Sequence, residues 1–154
     1  MEIFLGADHG GFRQKEIIKG YLKDLGYDVE DLGNLKEEPR DDYPDFAKKV
    51  AEKVSRNPAE SKGILFCRSG AGMDMVANKF PNVRSALVFN EKLAIQSREH
   101  EDANVLSIPS DWLDDEAVKK IVKVWLETPF SGEERHARRL QKIHAIEEEL
   151  FHDH

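Results

Sequence analysis

The only cysteine of this 154-residue chain, Cys67, ends the apolar run Gly63-Ile64-Leu65-Phe66 and precedes the glycine-rich turn Arg68-Ser69-Gly70-Ala71-Gly72. The following segment, Met73 to Lys79, has a helical pattern. A thiol at the carboxyl end of a strand then stands beside the backbone N–H groups of a helix N-terminus, where an anion is favoured. Such a position is expected to draw a thiol's pKa below its free value of about 8.5, which suits a base or a nucleophile. A small core residue is the other reading of Cys67, because free cysteine is among the most buried residue types. Asp8 and His9 in Asp8-His9-Gly10-Gly11, together with His100, add groups able to hold or move a proton. On the residues alone, a helix cap for Asp8 and a cation at a helix C-terminus for His100 are the plainer readings. Arg135 and Arg139 lie four apart, on one helix face, with forked donors that suit phosphate; a solvated charged face with Glu133 and Glu134 is their plainer reading.

These residues need a scaffold, and the pattern supplies one. Ile3 to Ala7 reads as a short buried strand, and Ile17, Ile18, Tyr21, Leu22 and Leu25 as a helical stripe stopped by Gly26. Tyr27 to Leu32 is a second strand. After the charged loop Asn34 to Asp42, a helix opens at Tyr43-Pro44-Asp45 with Phe46, Ala47, Val50, Ala51 and Val54 on one face. The Cys67 strand follows, then Val83 to Phe89, a helix over Glu91 to His100, and a fifth strand over Ala103 to Ile108. Helices over Asp114 to Glu127 and Glu133 to Leu150 complete the chain. Trp112 and Trp125, with Leu113, Val118, Ile121, Val122 and Leu126, read as core or dimer packing. Alternating strands and helices imply right-handed crossovers, a parallel sheet covered on both faces, and a site outside the carboxyl ends of the strands. Asp8, His9 and the Cys67 turn all fall there. The polar last helix is expected to be partly a dimer element.

Composition limits the function. The net charge of −7 argues against general nucleic-acid or acidic-membrane binding, which needs a positive face. One cysteine cannot form an internal disulfide, Met1 to Gly6 lack the basic region of a secretory signal, and no apolar run reaches about 18 residues. A soluble, cytoplasmic, single domain over residues 1–154 is the expectation.

Several separated motifs, in order, carry a family resemblance over nearly the whole length: Gly6-Ala7-Asp8-His9-Gly10-Gly11-Phe12, Asp42-Tyr43-Pro44-Asp45, Gly70-Ala71-Gly72-Met73 after Cys67, Ala77-Asn78-Lys79, Ser97-Arg98-Glu99-His100 with Asp102-Ala103-Asn104, and Arg135-His136 with Arg139. The chain resembles ribose-5-phosphate isomerase B, whose wider family includes galactose-6-phosphate isomerase subunits and allose-6-phosphate isomerase. The resemblance implies a three-layer α/β/α Rossmann-like domain with a five-stranded parallel sheet. It also implies a homodimer, or a dimer of dimers, with active sites between subunits and a C-terminal helix used in dimerisation. No metal or cofactor is implied.

By the same resemblance, Cys67 is the base at carbon, and the N–H groups of Ser69, Gly70, Ala71 and Gly72 hold the enediolate oxygen while the Ser69 hydroxyl orients a substrate oxygen. His100 opens the sugar ring, with Asp8 and Tyr43 on the hydroxyls. His9, Arg135 and Arg139 take the phosphate. Some family members use glutamate at the position of Met73; methionine takes no proton, so this chain is of the cysteine type. Ribose 5-phosphate and ribulose 5-phosphate are the expected pair, with a six-carbon sugar phosphate, or binding without turnover, as the alternatives.

The chain also departs from the family. Arg68 stands where glycine is usual, Asp74 where serine is common, Glu101 where asparagine follows the histidine, and Asp111 where an arginine often helps bind phosphate. Two expectations follow. Either Arg68 relocates a positive charge across the pocket, or it pairs with Glu101, Asp74 or Asp111 and fills the sugar site. Other chemistries fit poorly. A tyrosine-phosphatase loop needs arginine six positions after its cysteine, where Met73 stands, and Gly70-Ala71-Gly72 lacks the third glycine of a dinucleotide fingerprint. The six histidines are dispersed, and the terminal His152-Asp153-His154 reads as a frayed tail that binds metal weakly at most.

Overall fold

The computed structural model describes residues 1–152; Asp153 and His154, with the expectation attached to the tail, lie outside the described residues. The elements run β1 (Glu2–Ala7), α1 (Phe12–Asp24), β2 (Asp28–Asp31), α2 (Tyr43–Arg56), β3 (Ser61–Cys67), α3 (Ala71–Ala77), β4 (Ser85–Leu87), α4 (Glu91–Glu101), β5 (Val105–Pro109), α5 (Asp115–Glu127) and α6 (Glu134–His152). All sheet pairings are parallel, in the order β2-β1-β3-β5-β4. The chain moves from β1 outward to β2, then crosses back to β3 on the other side of β1. The crevice between the carboxyl ends of β1 and β3 is therefore the topological switch point, where α/β sheets bind ligands.

Two cores flank the sheet. On one face Ile18 and Leu22 of α1, Ala94 of α4, and Val118, Ile121, Val122 and Trp125 of α5 pack on Ile3, Leu5, Ile64, Leu106 and Ile108. On the other, Phe46, Ala47, Val50, Ala51 and Val54 of α2 and Met73 and Ala77 of α3 pack on Phe4, Leu65 and Val105. Each of the larger side chains among these contributes on the order of 2 kcal/mol on leaving water, so the amphipathic α2 is held mainly by its buried face. The central strands β1, β3 and β5 are almost wholly buried, as expected for a sheet covered on both sides.

The edge strands β2 and β4 are shorter than the apolar pattern predicts. Val83 packs in the second core, while Phe89 is exposed beyond the last β4 pairing. The α1 stripe differs too: Gln14 and Lys15 are buried, whereas Leu25 is exposed. Trp125 is core, but Trp112 stays largely exposed, in a 3-10 turn over Ser110–Trp112.

Candidate active site

Three segments meet at the switch point. Beyond β1, the buried Asp8 carboxylate accepts from the N–H groups of Gly10 (2.9 Å) and Gly11 (3.2 Å), which fixes the turn into α1. Burial pushes its pKa up against the pull of those donors. His9 follows, partly exposed, with Nδ1 2.7 Å from Asp41 Oδ1. The His9 backbone N–H donates to the same oxygen (2.9 Å), and Asn34 Nδ2 donates to the other (3.0 Å). The Asp41 bond holds the His9 pKa above its usual value. Against the cost of burial, donors from Asn34 and His9 hold the Asp41 carboxyl below its own.

Cys67 ends β3, only 4% exposed, and accepts from the Gly70 N–H at 3.2 Å. Here the expectation of a depressed pKa needs correction. Burial pushes the thiol up, Asp8 adds to the rise, and the N–H groups of Met73, Gly70 and Ser69 only partly offset both. The turn that carries those donors depends on Gly70, whose φ of +74° suits glycine and whose position would bring a Cβ within 2.5 Å of the Leu87 side chain. The cradle is partly occupied internally, because the Ala71 N–H donates to Ser69 Oγ at 3.2 Å. The Tyr43 ring, from the start of α2, closes over Gly72, where a Cβ would come within 2.5 Å of it.

Arg68 lies on the rim. Its guanidinium is 3.6 Å from Asp111 Oδ2, with both side chains well exposed, and the Asp111 N–H donates to the Arg68 carbonyl at 3.0 Å. Of the three acids weighed as partners Arg68 takes Asp111, and its stem lies against Gly10, where a Cβ would come within 2.5 Å of Arg68 Cγ, so the exposed pair borders the crevice between the carboxyl ends of β1 and β3. Asp74 accepts instead from Ser85 Oγ (2.6 Å), with its pKa pushed up by burial.

His100, Glu101, Arg135 and Arg139 belong to the opposite end. The α4 helix runs back along the sheet, so its last turn lies beside the amino end of β5, where the Asn104 carbonyl accepts from the Gly63 N–H (2.9 Å). Cys67 is four residues farther along β3, about 13 Å away at the usual strand rise. Arg98 locks this corner, donating to Asp102 Oδ1 (2.8 Å) and to the carbonyls of Ala103 (2.7 Å) and Thr128 (3.1 Å). The His100 ring stacks on buried His136, whose Nδ1 is 2.7 Å from Ser131 Oγ. Arg135, 3.3 Å from Glu133, and Arg139 one turn on are exposed on α6. One chain thus brings together Asp8, His9, Tyr43, Cys67, Arg68 and the Ser69–Gly72 turn at one end, and His100, Glu101 and the arginines at the other.

Sequence reasoning missed Asp41, which looks like any acid of a charged loop 32 residues from His9, and the packing role of His136. Ligand atoms of Asp8, His9 and Asp41 lie within 4.8 Å of one another, a grouping that the dispersed histidines did not suggest. Their facing atoms are already engaged with one another or with backbone N–H groups, which describes a hydrogen-bonded pair and a capped turn rather than an open cage. No helix among the described residues is long and apolar enough to cross a membrane.

With the fold, the comparisons with known proteins agree. The sequence profile described as Ribose/Galactose Isomerase matches residues 3–143. The crystal structure of ribose-5-phosphate isomerase B from Mycoplasma genitalium with bound ribulose-5-phosphate is similar with a TM-score of 0.94 at 44% identity, covering 96% of this chain and 97% of that one. The ribose-5-phosphate isomerase B structure from Clostridium thermocellum gives 0.92 at 41%, covering 97% and 99%. Ribose-5-phosphate isomerase B of Escherichia coli K12 is 38% identical over 147 residues, 96% of this chain and 97% of the relative.

Proposed function

The chain belongs to the ribose/galactose isomerase family, and from that premise we propose that it is an aldose–ketose isomerase interconverting ribose 5-phosphate and ribulose 5-phosphate. The observation that carries this reading is the near full-length similarity to the Mycoplasma genitalium enzyme solved with ribulose-5-phosphate.

The reaction opens a cyclic sugar, moves a proton between C2 and C1, and passes through an enediolate. In this reading His100 takes the C1 hydroxyl proton and returns one to the ring oxygen, a double duty that imidazole suits. The Cys67 thiolate removes the C2 proton and delivers it to C1. A thiolate kept out of water is a stronger base, at the cost of a smaller ionised fraction near neutral pH. The N–H groups of the Ser69–Gly72 turn take the growing negative charge on oxygen, with Gly70 and Ala71 exchanging their contacts to Cys67 Sγ and Ser69 Oγ for the substrate. Asp8 and Tyr43 orient hydroxyls, and His9, Arg68, Arg135 and Arg139 supply positive charge for the phosphate.

The distance between the two residue groups supports a homodimer whose sites are shared. A second copy, related by a two-fold axis, offers its own amino-end group of His100, Glu101, Arg135 and Arg139 to the crevice of the first. The α6 helix supports the same reading, since Ile143, Ile146, Leu150 and Phe151 are exposed along a groove of about 360 Å³ shared with Val83 and Arg84. A dimer of dimers is compatible with this arrangement. The cytoplasm, where a lone thiol stays reduced, is the compartment that fits.

Proton NMR in deuterated buffer tests the function directly. Wild type should convert ribose 5-phosphate to the ketose with deuterium entry at the exchanging carbon, and Cys67→Ala should not. Conversion of allose or galactose 6-phosphate alone would move the assignment to six-carbon sugars, and no exchange with any sugar from folded protein would leave a binding protein.

A further inference from the structure

We propose that Asp41 is a positioning residue that holds His9 through Nδ1 as an imidazolium, leaving Nε2–H as the donor to the phosphate of the substrate. The ligand in this inference rests on the isomerase reading; the state of His9 does not.

Geometry carries it. The Asp41 side chain is only 6% exposed, so it is no surface acid that happens to lie near a histidine. Its Oδ1 receives both the backbone N–H and Nδ1 of His9, at 2.9 and 2.7 Å. A carboxylate removed from water in this way is stabilised by a full positive charge more than by a neutral ring. With Nδ1 committed, Nε2 is the one ring nitrogen left for a ligand.

The loop that delivers Asp41 is itself pinned. Asn34 donates to Asp41 Oδ2, its backbone N–H donates to the Ala7 carbonyl (2.8 Å), and its own carbonyl accepts from the buried Lys15 ammonium (2.7 Å). Lys15 is balanced by Asp31 at 2.6 Å. The anion therefore reaches His9 from a framework anchored on β1 and α1, and its position does not depend on substrate. Two further charged groups face His9. Asp8 favours the imidazolium, burial and Arg68 oppose it, and the hydrogen bond from Asp41 is the largest influence of all.

Histidine ring resonances followed by NMR from about pH 5 to 9, with kinetics on the full-length protein, test the proposal. In wild type His9 should titrate above the ordinary value of about 6.5, and in Asp41→Asn it should move down. The KM for ribose 5-phosphate should then rise on the order of tenfold in Asp41→Asn at about pH 8 and little at about pH 6, with kcat falling far less. Asp41→Glu should recover part of the loss, which a merely structural role would not predict. A wild-type His9 titrating at or below the ordinary value overturns the proposal without any variant, as does an Asp41→Asn KM matching wild type at both pH values. If wild type turns over no sugar, the isomerase reading fails separately, and inorganic phosphate becomes the probe. Binding on the order of tenfold weaker to Asp41→Asn at about pH 8 then supports the proposal, and equal binding overturns it.

Discussion

The imidazole of His100 rests on that of His136, with ring centroids 4.3 Å apart and planes tilted by 30°. His136 is buried, bonded to Ser131 Oγ, and Ser131 in turn donates its N–H to the Glu99 carbonyl at 3.2 Å. One face of the ring assigned to ring opening is thus fixed from beneath by a closed set of contacts. His100→Ala should lower kcat about 10²- to 10⁴-fold, the usual contribution of a general acid–base group. His136→Ala leaves the chemistry but frees the ring, and kcat should fall about tenfold with little change in KM. His136→Phe keeps an aromatic platform and should recover most of that loss in steady-state assays; an equal loss in both variants would assign His136 to hydrogen bonding instead.

Because burial raises the Cys67 pKa, the rate at carbon should depend on alkaline titration. The thiolate fraction grows with pH, so kcat/KM should climb above neutrality and level off only past the ordinary thiol value of about 8.5. Stability moves the other way. A group whose folded pKa exceeds its unfolded one contributes stability that is fully present below about pH 8.5 and is lost as pH rises through the folded value. Urea midpoints across alkaline pH should fall for wild type more than for Cys67→Ala, and a pH-independent kcat/KM would remove Cys67 from the rate-limiting step.

Much of the scaffold is legible in the sequence because burial writes a periodic signal. The runs Ile3-Phe4-Leu5 and Ile64-Leu65-Phe66 and the stripe from Phe46 to Val54 become buried strands and a buried helix face. Other features leave no such signal. Lys15 looks solvated until the fold brings Asp31 and the Asn34 carbonyl to it. Asp41 acquires meaning only through His9, and the separation of His100 from Cys67 comes from the direction of a crossover helix rather than from either motif. Helix propensity and a glycine-rich turn also could not weigh burial against backbone donors at Cys67; burial wins.

The Lys15 cluster is a stability element with a clear prediction. Lys15 is fully buried and holds Asp31, which Lys19 also contacts at 2.8 Å. Removing one partner of a buried pair leaves an uncompensated charge, so Lys15→Ala should cost about 3 kcal/mol in urea unfolding, the lower end of the range because Lys19 remains. Although burial opposes it, bonds from Lys15 and Lys19 lower the Asp31 pKa. The stability from that shift is present above the unfolded value of about 3.9 and is lost as pH falls through the folded one. Acid unfolding of Lys15→Ala should accordingly be less steep.

Arg68 and Asp111 should govern affinity more than stability. An exposed pair at 3.6 Å contributes little to folding, so Arg68→Gly should change the unfolding free energy by no more than about 0.5 kcal/mol. Its loss should raise KM for the sugar phosphate several-fold, most strongly at low salt. Asp111→Asn keeps the guanidinium and removes a competing anion, so KM should fall. Opposite shifts in KM for the two variants would place Arg68 in phosphate attraction, whereas unchanged KM in both would leave the pair a rim contact.

The distance between Cys67 and His100 makes shared sites testable without a structure of the complex. Consider Cys67→Ala and His100→Ala, each inactive alone, unfolded together and refolded as a mixture. If each site takes Cys67 from one protomer and His100 from the other, a mixed dimer carries both lesions in one site and an intact pair in its second. Random association makes about half the dimers mixed, each with one working site in two, so activity should recover to about one quarter of wild type. If each site were built within one chain, every site in the mixed dimer would carry a lesion and no activity would return. Ile146→Glu, which puts a charge on the exposed stripe of α6, should block the recovery and shift the sedimentation of the protein toward monomer.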